Sequence, residues 1–136
     1  MTRIPQPDPI DRPTWVEHVD NPYLHGIHTP SVQETTAFEL RIEGELPRNL
    51  YGAYVGNGPN QVFEPKNLYH WFDGDGMVHA VYFRDGKAGY RSRFVRTAGL
   101  VEEMHAGHAV WPGVMGRFDF GLPRHYVKDT ANTDLI

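Results

Sequence analysis

Glycine and proline interrupt this sequence so often that a long helix has little room to form. The chain of 136 residues contains 14 Gly and 11 Pro, and short apolar runs lie between them. Glycine supplies the positive φ angles of tight turns, whereas proline lacks a backbone donor and disfavours helix interiors. This mixture favours many short strands joined by tight turns over a helical bundle. We therefore predict an all-β fold.

The clearest predicted unit is a β-hairpin. Residues Met77 to Arg84 and Lys87 to Arg96 are rich in strand-forming side chains, and Asp85-Gly86 separates them. An Asp-Gly pair suits a two-residue type I′ turn. Upstream, apolar and charged residues alternate from Phe38 to Glu43, which predicts a half-buried strand.

The sequence patterns on either side of this hairpin are less regular. Residues Leu50 to Val55 favour a second strand, and Gly56 to Asn60 predict a loop because each residue there favours a turn or a positive φ. Residues 98–125 contain five glycines and two prolines and are predicted to be irregular. No segment gives a strong helix signal.

The first 35 residues are predicted to form an extended arm. They are rich in proline and show little apolar periodicity, so their order depends on the rest of the protein. We expect Trp15, Tyr23 and Leu24 to anchor this arm. The predicted organisation is an arm over residues 1–35 followed by a β domain over residues 36–136.

Composition excludes several classes of protein. A net charge of −4 without a basic tract gives no electrostatic case for nucleic acid. The absence of cysteine excludes a disulfide framework, a thiolate zinc site and a thiol nucleophile. The sequence shows no signal-peptide pattern and no apolar run long enough to span a bilayer. We therefore expect a soluble, cytoplasmic protein.

Eight histidines invite a metal hypothesis. The pairs His25/His28 and His105/His108 each enclose a glycine in loop-like sequence, and neither has carboxylates at a recognised spacing, so surface or packed loop histidines are the better interpretation.

A denser group of polar residues extends from His70 to His79. There, His70, Asp75 and His79 could imitate an iron site of two histidines and one carboxylate. Asp73 and Asp75 could also imitate a calcium loop, but Arg84 stands where the bidentate glutamate should be. The alternative is a tight turn at Asp73-Gly-Asp-Gly76 that leads into the next strand.

Three segments, in this order along the chain, resemble motifs of the carotenoid cleavage oxygenase family. Residues Gly44 to Asn60 resemble the family's opening strand and its Arg-Asn-Gly-Pro-Asn turn, although Gly56 stands where that arginine is usual. Residues His70 to His79 resemble its aromatic-Gly-Asp-Gly-Met segment, and Asp129 to Asp134 are similar to its Thr-Ala-Asn-Thr element. The resemblance covers about residues 21–136.

The resemblance implies a seven-bladed β-propeller that holds a non-haem iron(II), Fe(2+), on its axis with four histidines. Such enzymes use O2 to cleave a carbon–carbon double bond of a carotenoid, apocarotenoid or stilbene into two carbonyl products. The first ligand histidine follows the Ala-Asn-Thr element by some distance, so all four ligands are expected beyond Ile136. None of the eight histidines in this chain is carried over as a ligand.

Two residues of this chain match functional positions of the family. Thr133 resembles the threonine that lies beside the vacant iron position, and Phe72 resembles an aromatic residue that lines the substrate cavity. On the residues alone, Thr133 could instead be a strand residue and Phe72 a core aromatic.

The size of the chain suggests part of a longer enzyme. A propeller blade takes roughly 40–50 residues, so residues 36–136 are expected to form about the first two blades, without activity of their own. The expected partners are O2 and a small hydrophobic substrate, with peripheral membrane contact left open. The alternative is a non-catalytic β module that binds a hydrophobic ligand or a partner chain, which the aromatic segment Trp111 to Phe120 would also support.

Overall fold

An antiparallel sheet of four strands organises the protein. The structure is a computed structural model that describes residues 12–114 and 127–136. Within those ranges the sheet has the order β1-β4-β3-β2. The strands and the helix α1 that follows them are β1 Thr36–Ala37, β2 Gly52–Pro59, β3 Gly76–Arg84, β4 Lys87–Phe94 and α1 Ala98–Ala106.

The predicted hairpin is confirmed. β3 and β4 pair antiparallel from Met77 opposite Phe94 to Arg84 opposite Lys87. The two turn residues, Asp85 and Gly86, have φ angles of 52° and 76°. Two successive positive φ angles are what a type I′ turn requires.

The described core lies where α1 packs on the start of the hairpin. Met77, Phe94 and Leu100 are buried there, with Val62 and Met104 packed against them. Fully burying a side chain of this size stabilises the fold by about 1.5–3 kcal/mol. The core therefore fixes the position of β3 close to its first residue.

Helix α1 corrects the prediction that residues 98–125 are irregular. Its first turn is capped by Thr97, whose hydroxyl accepts a hydrogen bond from the Leu100 amide at 3.2 Å. Gly107 ends it in the left-handed conformation with a φ of 75°. Both capping signals are present in the sequence, but the count of glycines over a long window obscured them. The later part of that segment lies outside the described residues.

The predicted loop at Gly56 to Asn60 is wrong over most of its length, because β2 runs on to Pro59. Gly56 pairs with His79 in β3, and Pro59 pairs with Gly76. Proline is tolerated here because β2 is an edge strand of the described sheet and Pro59 is its last residue.

The predicted strand from Phe38 to Glu43 is also wrong. The only strand assigned in this region of the described chain is the two-residue β1, although the Leu40 amide still donates to the Ala88 carbonyl at 2.7 Å. Phe38 is 87% exposed. An alternating pattern predicts a strand when one face is buried, and Phe38 has no such cover among the described residues.

The described part of the N-terminal arm packs on the sheet domain. Leu24 is fully buried, and the Trp15 indole lies 3.4 Å from the Val62 carbonyl, to which it donates. The arm contains short turns where an extended chain was expected, and they are the 3₁₀ segments Thr14–His18, Pro22–Leu24 and Gly26–His28.

A four-stranded antiparallel sheet is the unit from which propeller blades are made. The described residues contain one such sheet, so the expected count of about two blades is not confirmed. No helix within the described ranges is long and apolar enough to cross a bilayer.

Candidate functional site

A short 3₁₀ turn, Trp71–Asp73, presents the aromatic residues that precede β3. The His70 Nδ1 atom accepts a hydrogen bond from the Phe72 amide at 3.2 Å, and the Asp73 carboxylate accepts one from the His70 amide at 3.0 Å. This reciprocal pattern is a capping box, which satisfies both free amides of the turn. Turn chemistry therefore accounts for Asp73.

The turn directs its aromatic side chains outward. Phe72 is 67% exposed, so it is not a core aromatic of the described structure. Its ring lies 4.5 Å from that of His70, which in turn packs edge-on against Tyr23 of the arm at the same centroid distance. The His28 ring contacts Trp71 at 5.2 Å. The result is an exposed aromatic surface made from the arm and the turn.

Three charged side chains form a buried ion cluster. The Lys128 ammonium lies 2.5 Å from a carboxylate oxygen of Asp75 and 2.5 Å from one of Glu103. All three side chains are at most 4% exposed. The cluster joins the start of β3, helix α1 and the C-terminal segment, residues 127–136.

Backbone amides complete the coordination of both carboxylates. Asp75 accepts from the Val62 amide at 3.1 Å, and Glu103 accepts from the amides of Val110 and Trp111 at 3.0 and 3.1 Å. Buried charges need such partners because their desolvation is costly.

Burial is the largest cause of the pKa shifts of Asp75 and Tyr69. It raises the pKa of the Asp75 carboxyl, and Glu103 adds to the rise, whereas the Lys128 ammonium lowers it. Burial also raises the pKa of the Tyr69 hydroxyl, with further contributions from Asp75 and Asp73. The carboxylates outnumber the ammonium by two to one, so full ionisation leaves an uncompensated negative charge in the interior.

The C-terminal segment is tied to β3 and β2 by its backbone. The Gly76 amide donates to the Thr130 carbonyl at 2.8 Å. The Asn57 side chain donates to the carbonyls of Ala131 at 2.9 Å and Asp134 at 3.2 Å. Ala131 has a φ of 48°, an uncommon conformation for a residue other than glycine.

Asn132 links the two residues that the family resemblance singled out. Its side-chain amide donates to the Phe72 carbonyl at 2.9 Å and to the Gly74 carbonyl at 2.8 Å. Its carbonyl oxygen accepts from the Thr133 hydroxyl at 3.1 Å. Thr133 is exposed and lies in a bend, so it is not a strand residue.

The three residues that could imitate an iron site, His70, Asp75 and His79, each have a different hydrogen-bond or ion-pair partner. The His79 ring bonds the Tyr90 hydroxyl at 2.6 Å, Asp75 pairs with Lys128, and His70 caps the 3₁₀ turn. Over residues 12–114 and 127–136, no three His, Cys, Asp or Glu side chains are grouped as metal ligands. The described side chains do not fit an iron site.

The remaining histidine pairs lie at the surface. His25, His28, His105 and His108 are all exposed. This exposure agrees with the preferred interpretation, surface or packed loop histidines, but the loop expected at His105 is wrong because His105 lies in the last turn of α1.

Glu103, Lys128 and Asn132 were not singled out by the sequence. Lys128 lies 25 positions from Glu103 along the chain. Asn132 lies 60 positions from Phe72 and 58 from Gly74, and no local spacing marks such long-range contacts. The family element around Thr133 contains Asn132, so the resemblance placed it in a relevant segment without giving it a role.

Comparison with known proteins identifies the class to which this chain belongs. Residues 28–136 match the family RPE65, retinal pigment epithelial membrane protein. The chain therefore belongs to this family, which includes the carotenoid cleavage oxygenases.

Curated relatives support the assignment. A carotenoid cleavage oxygenase of Mycobacterium tuberculosis is 53% identical over 79 residues, which is 57% of this chain and 16% of that protein. A carotenoid 9,10(9',10')-cleavage dioxygenase of Crocus sativus is 49% identical over 82 residues, or 60% of this chain and 15% of that protein. The chain thus matches about one sixth of the length of these relatives.

Solved structures show the same relation. The lignostilbene dioxygenase of Pseudomonas brassicacearum superimposes with a TM-score of 0.71 at 29% identity, covering 83% of this chain and 24% of that one. A mutant of the Synechocystis apocarotenoid oxygenase gives a TM-score of 0.57 at 40% identity, covering 62% and 18%.

Proposed function

We propose that this chain is the N-terminal part of an iron(II)-dependent dioxygenase. Its reaction would cleave one carbon–carbon double bond of a carotenoid, apocarotenoid or stilbene with O2. Both bonds of the double bond break, and each carbon receives one oxygen atom, so two carbonyl products form. On its own the chain is expected to be inactive.

The observation that carries this proposal is the family match over residues 28–136, together with the dioxygenases among the relatives. The short share of each relative that the chain matches supports its being one part of a larger protein. By the same argument, we propose that residues 36–136 belong to the first blades of a seven-bladed propeller and that residues 1–35 form an arm on it.

The arrangement of Phe72 and Thr133 supports roles at the substrate cavity. Both side chains are exposed in the described structure. For Phe72 this is unusual, because phenylalanine side chains are usually buried in a folded protein. Hydrogen bonds from Asn132 tie the two segments together, because its side chain bonds the Phe72 and Gly74 carbonyls and the Thr133 hydroxyl. We propose that Phe72 lines the cavity and that Thr133 borders the vacant iron position.

The iron would be held by histidines outside the described residues, in the stretch that the family resemblance places after Ile136. When bound, it supplies the chemistry that activates oxygen. The described residues of this chain would form one wall of the substrate cavity and would exclude water from it. No step that passes through the metal follows from their geometry.

The partners and the compartment are also proposals. A hydrophobic substrate suits an exposed aromatic surface, because stacking and burial of apolar area favour such a ligand. The absence of cysteine fits a reducing compartment, and we propose the cytoplasm.

The test uses the complete enzyme, meaning the full-length protein that contains this chain. Purified enzyme loaded with ferrous iron is incubated with a carotenoid, an apocarotenal and a hydroxylated stilbene, and the products are identified by mass spectrometry. We expect two carbonyl products from at least one substrate, and none from the zinc-loaded enzyme. Binding of a substrate without any cleavage in the iron-loaded enzyme would favour the non-catalytic β module.

A further inference from the structure

Asn132 is the buried residue of an otherwise exposed stretch of chain. It is 8% exposed, whereas Ala131 and Thr133 on either side are exposed. A polar side chain is buried at a cost unless hydrogen bonds compensate it. The contacts of Asn132 therefore explain why it faces inward.

These contacts use both ends of the Asn132 amide. The two N–H groups donate to the carbonyls of Phe72 and Gly74 at 2.9 and 2.8 Å, and the oxygen accepts from the Thr133 hydroxyl at 3.1 Å. The Trp71 carbonyl, at 3.5 Å, is too distant to count. A single side chain thus holds the backbone of one proposed cavity residue and the side chain of the other.

The hydroxyl contact also fixes how Thr133 is presented. A threonine side chain occupies staggered rotamers, so placing the hydroxyl at Asn132 determines where its methyl group points. Without that contact, the methyl and the hydroxyl could exchange positions. The surface offered to a ligand would then change from apolar to polar.

We propose that Asn132 is a positioning residue that fixes Phe72 and Thr133 relative to each other at the wall of the substrate cavity. This inference rests on the proposed function, because it gives Asn132 a role through those two residues. Aspartate could not replace it, since a carboxylate would face two carbonyl oxygens without a donor. Glutamine is one methylene longer and would displace both contacts.

The backbone around Asn132 is held by other bonds, so its substitution is separable from unfolding. The Gly76 amide bonds Thr130, Asn57 bonds Ala131 and Asp134, and Lys128 lies in the buried ion cluster. Asn57 is the matched control, because it is an asparagine that tethers the same segment through Ala131 and Asp134 and makes no hydrogen bond to Phe72 or Thr133 among the described residues.

The kinetic experiment compares Asn132→Ala, Asn132→Asp and Asn57→Ala in the complete enzyme. Misplacing a reacting partner by 1 Å can cost on the order of 100-fold in rate, so we expect kcat for Asn132→Ala to fall by about that factor. KM should change far less, and iron content should not change. Asn57→Ala should lose thermal stability to a similar degree with a much smaller loss of kcat. Equal losses of kcat in Asn57→Ala and Asn132→Ala would overturn the proposal.

A double-mutant cycle with Thr133→Val tests the hydroxyl contact. Valine keeps the shape of threonine and removes the donor, so the effects of Asn132→Ala and Thr133→Val on kcat should be less than additive. Full additivity would contradict a role through Thr133.

A structural readout separates this inference from the proposed function. In the complete protein with labelled threonine methyl groups, NMR should show one Thr133 rotamer in the parent and rotamer averaging in Asn132→Ala. If the parent cleaves no substrate, the proposed function fails, and the rotamer measurement still decides whether Asn132 positions Thr133. An unchanged single rotamer in Asn132→Ala would refute the inference.

Discussion

Gly76 stands where the backbone of the C-terminal segment approaches β3. A Cβ atom at this position would collide with the backbone carbonyl of Ala131. The absence of a side chain therefore permits the 2.8 Å hydrogen bond from the Gly76 amide to the Thr130 carbonyl. The glycine serves close approach of two backbones, and its φ is not positive.

Gly76→Ala should consequently displace the segment that carries Thr133. Overpacking of this kind costs about 1–3 kcal/mol, and the hydrogen bond to Thr130 is lost with it. The matched control is Gly58→Ala in β2, where a Cβ would meet nothing within 4 Å. Urea unfolding of the complete enzyme measures both variants. An equal, small change in the two midpoints would show that the segment does not pack against Gly76.

The site residues differ in how far the sequence could predict them. Phe72 and Thr133 are predicted as site residues because a family resemblance points to their positions, and that prediction remains to be tested. Asn132, Glu103 and Lys128 were not predicted, because their importance lies in contacts between segments far apart in the chain. A turn or a cap depends on neighbours in sequence, whereas a buried ion cluster depends on how three elements pack.

At the scale of elements, the sequence predicted the β3–β4 hairpin. It also contained the signals for helix α1, which was missed. Asp85-Gly86 fixes the turn by its own conformational preference, so β3 and β4 followed from local sequence. α1 was missed although Thr97 and Gly107 cap it, because glycine was counted over a window longer than the helix. β2 was cut short because Gly56 to Pro59 look like a loop until a partner strand pairs with them.

The buried ion cluster is the contact that joins β3, α1 and the C-terminal segment. Lys128→Met would leave Asp75 and Glu103 buried without a counter-ion, which costs about 3–5 kcal/mol at neutral pH. Asp75→Asn leaves one ammonium, Lys128, paired with one carboxylate, Glu103, so the loss of folding stability should be much smaller. Urea unfolding midpoints of the two variants at pH 7 provide the comparison, and a milder effect for Lys128→Met would contradict the cluster.

The same cluster predicts a direction for the pH dependence of stability. Because burial raises the pKa of Asp75 above its ordinary 3.8, the folded state holds that proton more tightly than the unfolded state. The contribution of Asp75 is thus most favourable below pH 3.8 and declines as pH rises through the raised pKa.

Substitution at Asp75 isolates this contribution. Relative to Asp75→Asn, the parent protein should lose stability as pH increases from about 3.8 upward. Midpoints of urea unfolding for both proteins across that range measure the difference. A parent that gains stability relative to the variant as pH rises would show that Lys128 outweighs burial.

At the scale of the whole molecule, the described chain leaves much apolar surface uncovered. β2 pairs with β3 on one side, and its other edge has no partner strand among the described residues. The exposed large side chains in β2 and just before it include Tyr51, Tyr54 and Val55. Open strand edges and apolar surface favour association with other chains.

The isolated 136-residue chain should therefore be aggregated or loosely packed in solution. Its near-UV circular dichroism should be weak despite three Trp. The complete enzyme is the control, and it should show strong near-UV signals and a cooperative melt. A monomer of the isolated chain with a sharp melt would favour a self-sufficient domain.

Oxygen labelling of the cleavage products tests the central claim most directly. The complete iron-loaded enzyme is incubated with ¹⁸O2 and the substrate that it cleaves, and both carbonyl products are trapped quickly and analysed by mass spectrometry. The proposed reaction places one atom of the same O2 molecule in each product, so both should carry one ¹⁸O. Label in one product alone, with the other oxygen drawn from water, or no cleavage of any carotenoid, apocarotenal or stilbene, would contradict the account.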